Sequence, residues 1–285
     1  AGASIAVANV LLPGLVKQRF PQKAGLMTSV YTTTMSMCAA LASGISIPLA
    51  STGNWGWQGS LFSWALPVLF AIAVWLPQLR SAGSASVKHA GQKKQQGLWR
   101  SLLAWQITLF MGLQSFLFYC TIAWLPAILQ QHGISQASSG WMLSLVQAIS
   151  LPASFFTPVI ASRLSNQRLL AAFIGLCSLF GFAGLLIGNS TVLLYACLLL
   201  LGVSQGAAIS LALTFIVIRA QDVRQAARLS GMAQSIGYLL AAVGPIVVGL
   251  VYDWQQSWTL PLSILCFVSL FVILSGIGAG RNQTV

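Results

Sequence analysis

The chain has 285 residues, of which 57% are hydrophobic and 6% charged, and its mean hydropathy is +0.83. So few polar residues cannot coat a soluble globule, which excludes that class and directs the chain to lipid. The net charge of +12 does not make a nucleic-acid face, because the basic residues sit in short stretches between apolar runs and line no helix.

Runs of about 17–25 mainly apolar residues are long enough to cross hydrocarbon. Nine spans are predicted, at residues 2–16, 25–50, 60–77, 101–130, 140–161, 169–188, 192–218, 229–251 and 259–280. Backbone polar groups in lipid must be satisfied within their own segment, and strand-like alternation is absent. The fold class is therefore all-α integral membrane.

The cations alternate with the spans. Lys17, Arg19 and Lys23 follow the first span; Arg80, Lys88, Lys93, Lys94 and Arg100 the third; Arg163 and Arg168 the fifth; Arg219, Arg224 and Arg228 the seventh; Arg281 the ninth. The loops between hold no Lys or Arg. By the positive-inside bias the basic side, with the C-terminus, is cytoplasmic. Trp55, Trp57, Trp141, Trp254 and Trp258 mark the opposite ends as interfacial anchors. Residues 78–100, rich in Ser, Gly, Ala, Gln and Lys, read as a cytoplasmic linker between residues 1–77 and 101–285.

A repeat organises these pieces. Gly206-Ala-Ala-Ile-Ser-Leu-Ala falls on Gly2-Ala-Ser-Ile-Ala-Val-Ala, and after each basic loop the echo resumes, Gly231 against Gly25 and Ser235 against Ser29. The paired spans run in the same direction, which is the pattern of a parallel repeat about an axis along the membrane normal. By analogy with parallel-repeat transporters, whose halves hold six spans each, the nine spans are expected to belong to twelve, with roughly 100 residues ahead of Gly2. Residues 1–77 are then the second half of the first six-helix bundle, and 101–285 the second bundle.

No Lys, Arg, Asp, Glu or His falls mid-span, so intramembrane acid–base or metal chemistry has no side chains to use, and no enzyme, cofactor or metal site is read here. Cys38, Cys120, Cys177, Cys197 and Cys266 lie in apolar runs without ligand spacing and behave as small hydrophobes. Uncharged polarity is concentrated elsewhere. Gln114, Ser115 and Tyr119 share mid-depth of one span; Ser144, Gln147 and Ser154 stripe the next; Gln234 and Tyr238 lie four apart, ahead of Gly244-Pro245, a break that can free a carbonyl toward a cavity. Residues 28–34 are dense in hydroxyls, and Gly202, Gly206, Ser210 and Thr214 form a small-residue ridge suited to close packing. For the polar groups two readings stay open, hydrogen-bonded glue between helices or the wall of a solute cavity.

The segments Asn9-Val-Leu-Leu-Pro-Gly-Leu-Val-Lys, Trp57-Gln-Gly, Trp105-Gln-Ile-Thr-Leu-Phe, Ala123-Trp-Leu-Pro-Ala-Ile-Leu and Ser230-Gly-Met-Ala-Gln-Ser-Ile-Gly-Tyr-Leu-Leu-Ala-Ala-Val-Gly-Pro resemble the cyanate and nitroimidazole transporter family of the major facilitator superfamily, on its nitroimidazole side. The resemblance implies a bacterial inner-membrane carrier of two six-helix halves working by alternating access. One departure stands out. Where the superfamily's loop often reads Gly-x-Leu-x-Asp-Arg-x-Gly-Arg, this chain has Pro158-Val-Ile-Ala-Ser-Arg-Leu-Ser-Asn-Gln-Arg, with Ser162 in place of the acid.

The functional expectation is a monomeric secondary transporter, in contact with lipid and not with nucleic acid, that moves a small organic solute. That solute is a nitroimidazole-like drug or a small anion such as cyanate, and the tilt is toward efflux. Asn9, Thr28 and Tyr31 from the first half, and Gln114, Ser115, Tyr119, Gln147, Gln205, Gln234 and Tyr238 from the second, are the cavity candidates, because parallel-repeat carriers bind at mid-membrane between their halves. The alternative is a channel-like or scaffolding membrane protein without coupled transport.

Overall fold

A computed structural model describes residues 2–51, 56–81, 97–188 and 190–285. The described residues form helices α1 (Gly2–Arg19), α2 (Ala24–Ser51), α3 (Gly56–Ser63), α4 (Ala65–Ser81), α5 (Leu102–Gln131), α6 (Gln136–Arg163), α7 (Arg168–Ile187), α8 (Thr191–Arg219), α9 (Val223–Gln255) and α10 (Thr259–Ala279). Among them α5 to α10 are each long and apolar enough to cross a membrane. Trp55 and most of the 78–100 linker lie outside the described residues.

Two compact units result, residues 1–34 with 96–285, and residues 35–95. The second unit holds the end of α2 together with α3 and α4, which interrupt the third predicted span at Trp64. Along α4, Leu66, Leu69, Phe70, Trp75 and Leu76 are exposed, a surface suited to hydrocarbon.

The first unit is the six-helix bundle α5–α10 joined by α1 and the start of α2. Its core is apolar and aromatic, with Phe110 and Phe215 edge to face at 5.7 Å and Met111, Phe182 and Leu198 fully buried. Apolar burial gives little drive between helices in lipid, so close approach must supply the attraction. It does so at two seams. A Cβ on Gly112 of α5 would come within 2.9 Å of the Gly237 Cα of α9. On α8 the small-residue ridge lies against α6, where a Cβ at Gly206 would collide with the Ser150 carbonyl.

The helices outrun the predicted spans at their basic ends. Lys17 and Arg219 lie in the last turns of α1 and α8 rather than in loops, where a cation complements the helix dipole. Helix α9 begins at Val223 because the Asp222 Oδ1 accepts from the Gln225 N–H at 2.7 Å, an N-cap that takes Arg224 and Arg228 into the helix. Asp253 likewise lies in its final turn, ahead of Gln256 at φ 52°.

This end is tied together tightly. The Lys17 Nζ donates to the Val217 carbonyl at 2.9 Å and to the Ala220 carbonyl, so α1 closes on the C-terminus of α8. Burial pushes the Lys17 ammonium below its ordinary value, and the neighbouring Asp222 carboxylate works in the opposite direction. Arg219 is buried. Its Nη2 donates to Gln167 Oε1 and, at 3.1 Å, to the Gly280 carbonyl, while its Nε donates to the Ala279 carbonyl at 3.3 Å. Gln167 in turn donates to the Ala161 carbonyl at 2.9 Å, and the Val285 N–H donates to the Arg219 carbonyl at 2.9 Å. One guanidinium thus gathers the ends of α7, α8 and α10, and through Gln167 that of α6. Ser162, standing where the superfamily often has an acid, donates back to the Val159 carbonyl at 2.9 Å.

Candidate functional site

The sequence candidates sort into three groups. Gln114 and Gln234 are buried but satisfied locally. Gln114 Nε2 donates to the Ser115 hydroxyl at 2.7 Å and the Met111 carbonyl at 3.1 Å; Gln234 Nε2 donates to the Ser230 hydroxyl at 2.8 Å. These three residues, with Ser115 itself only 3% exposed, are glue at least in part.

A second group is buried and under-bonded. Gln205 is 6% exposed, and neither end of its amide has a partner among the described residues. The same holds for Gln147 Oε1, the Tyr31 hydroxyl and Thr28 Oγ1. Stranding such a group costs about 1–3 kcal/mol, so packing alone gives no reason to keep an amide there. Gln147 and Gln205 flank the α6–α8 seam, in which Val146 and Ile149 meet Gly202 and Ser150 meets Gly206.

A third group faces open space. Tyr119 of α5 and Tyr238 of α9 are 44% and 36% exposed and line a cavity of about 400 Å³ with Ile122, Ala123, Ala241, Ala242 and Pro245. The glutamines do not line this cavity. Asn9 lies in α1, with its side chain outside the described residues.

Sequence reasoning missed a chain of hydroxyls. Ser154 of α6 and Ser210 of α8 are 2.6 Å apart, and the Ser210 hydroxyl donates to Thr32 of α2 at 3.5 Å. Their signal was present, since Ser154 belongs to the α6 stripe and Ser210 to the α8 ridge, but nothing in one sequence pairs the two. It also missed Ile122, Ala123, Ala241 and Ala242, apolar residues with no signature beyond the prolines that follow. The resulting wall is uncharged, amphipathic and adjustable by rotamer. It can hydrogen-bond and stack a small planar solute, and it holds no group able to break a covalent bond.

Comparison with known proteins agrees with this geometry. Residues 1–245 match the family model described as Major Facilitator Superfamily. The chain is 48% identical over 284 residues to the "Uncharacterized transporter YycB" of Bacillus subtilis (strain 168), spanning 100% of this chain and 70% of that protein. It is 42% identical over 284 residues to the "2-nitroimidazole transporter" of Escherichia coli (strain K12), spanning 100% of this chain and 72% of the relative. Against the "Cyanate transport protein CynX" of the same strain the identity is 25% over 275 residues, 95% of this chain and 70% of that one.

Proposed function

Because this chain belongs to the Major Facilitator Superfamily, a family of multi-pass membrane transporters rather than enzymes, we propose that it carries a small planar organic solute of the nitroimidazole kind. Small anions such as cyanate are the second substrate class. Transport is outward and by alternating access, in a monomer of the bacterial inner membrane whose C-terminal end is cytoplasmic. Residues 1–77 and 101–285 belong to the two halves, linked by 78–100.

The observation that carries this reading is the Gln205 amide, buried with neither end partnered among the described residues. A carrier binds its solute in the membrane interior between repeats, and a solute hydrogen-bonding there would meet the desolvation cost that the amide bears alone. Identity to the 2-nitroimidazole transporter supports the substrate class, and the absence of mid-span charge supports an uncharged guest.

The test is counterflow in proteoliposomes of the full-length protein. Unlabelled 2-nitroimidazole loaded inside should accelerate entry of labelled 2-nitroimidazole, saturably, and Gln205→Leu should lower that rate about ten-fold, the equivalent of one hydrogen bond of about 1.4 kcal/mol. A flux that neither saturates nor accelerates on exchange would mean a pore and would sink the carrier reading.

A further inference from the structure

The α5–α9 cavity owes its shape to the register of its two helices. Gly112 of α5 meets Gly237 of α9, and further along Cys120 meets Gly244, so the two helices run side by side in the same direction. Tyr238 follows Gly237 and stands near the level of Gly112, whereas Tyr119 precedes Cys120 and stands near the level of Gly244. The two tyrosines are therefore offset by about six residues, or about 9 Å along the axis at about 1.5 Å per residue. Side chains on parallel helices lean the same way, toward the N-terminus, so the rings keep that offset. Between their levels, on the cavity side of α9, come Ala241 and Ala242, one turn after Tyr238. Ala241 is fully buried and Ala242 is exposed. The wall thus has a ring at each level, and between them α9 lines it with alanine alone.

We infer that this gap is a slot for one aromatic ring of the solute, held between the Tyr238 and Tyr119 rings, and that the small side chain of Ala242 keeps it open. The inference rests on the carrier reading above and names the part of the solute that this cavity selects. Aromatic rings pair at centroid separations of about 4.5–7 Å. A gap of about 9 Å therefore admits one ring in contact with both phenols and leaves no room for a second. The rest of the lining, Ile122, Ala123 and Pro245, is apolar and rewards a flat, poorly hydrated face. Phenol faces carry negative potential, so an electron-poor ring, such as one bearing a nitro group, stacks best. The phenol hydroxyls do not choose between a nitro group and an anion, since both accept hydrogen bonds. The slot reads the ring itself, and a ringless ion such as cyanate gains no stacking from it.

The experiment measures how well nitrobenzene, nitrocyclohexane and cyanate displace labelled 2-nitroimidazole, both at equilibrium from the purified full-length protein and in counterflow. Nitrobenzene and nitrocyclohexane share the nitro group and differ in having a flat aromatic or a puckered saturated ring. In wild type nitrobenzene should compete about ten-fold more strongly than nitrocyclohexane, and cyanate most weakly. Ala242→Leu adds bulk at an exposed position, outside the core, and should cut that preference to about two-fold or less. Tyr119→Leu and Tyr238→Leu should do the same. Tyr119→Phe and Tyr238→Phe lose only the hydroxyl and should retain the preference, whatever becomes of overall affinity. Equal competition by the two nitro compounds in wild type, an undiminished preference in Ala242→Leu, or loss of preference in the Phe variants would overturn the slot. Cyanate outcompeting nitrobenzene would overturn it too. Binding without counterflow would remove the carrier reading and leave the slot as a binding site, and counterflow without the aromatic preference would do the reverse. If 2-nitroimidazole neither binds nor crosses, both fall. The wild-type comparison depends on no variant folding.

Discussion

The basic end of the bundle and its middle obey opposite rules of hydrogen bonding. At the basic end every buried cation has acceptors: Lys17 holds two carbonyls of the α8 terminus, and Arg219 holds Gln167, Ala279 and Gly280. In the middle there is no charge, yet the Gln205 amide, Gln147 Oε1, Tyr31 hydroxyl and Thr28 hydroxyl lack partners among the described residues. The difference shows where stability and function separate. Charge is bonded where the helix ends meet, and polarity is left unspent in the interior, where the proposed solute would bind.

That contrast can be broken in order of effect. Arg219→Met should be the most damaging change. It leaves Gln167 Oε1 and two buried carbonyls without their donor, a loss of about 3 kcal/mol or more, read as a large drop in melting temperature of the detergent-purified full-length protein. Should the variant melt like wild type, the basic end is not the clamp described here. Gly206→Val should cost nearly as much, about 3 kcal/mol, because its side chain would drive into the backbone at Ser150 rather than into a yielding side chain. Loss of both melting temperature and transport is expected, and normal values for either would place the α6–α8 seam elsewhere.

Gln205→Leu sharpens the comparison because stability and transport should move apart. Removing an unpaired buried amide should leave melting temperature unchanged or raised, while counterflow falls about ten-fold. A drop in both would make Gln205 ordinary glue. Lys17 should give the smallest effect. Its ammonium is held below the ordinary value of 10.5 by burial, so the folded state binds fewer protons than the unfolded one as pH climbs toward that value. Stability contributed by this group therefore rises with pH and is lost as pH falls through the depressed value. Subtracting the melting curve of Lys17→Met from that of wild type across pH 8 to about 10.5 should reveal a small positive slope, and a flat difference would show that Lys17 is solvated.

Much of the fold was legible, because the period of the apolar runs and the one-sided Lys and Arg distribution are local signals that lipid enforces strictly. Helix ends were less so. The start of α9 depends on the Asp222 cap, and the burial of Arg219 on carbonyls contributed by α10, which no local pattern reveals. Within the site, residue type predicted polarity but not satisfaction. Gln114, Gln205 and Gln234 look alike in sequence, and only the structure separates the two that bond to a neighbour one to four residues away from the one without a partner among the described residues. The interruption at Trp64 is one for which we have no physical account.

The backbone contact between Gly112 and Gly237, extended by Gly249 against the Trp124 ring, makes α5 and α9 a single strut. Two rods locked at such short range resist sliding and splaying, so under the proposed alternating access the backbone of the wall they share would keep its shape. Selection by this wall would then rest on a fixed backbone whose side chains adjust only by rotamer. In the proposed cycle its choice among guests should be the same whichever side they come from, and the switching of sides would fall to neighbours that swing around it.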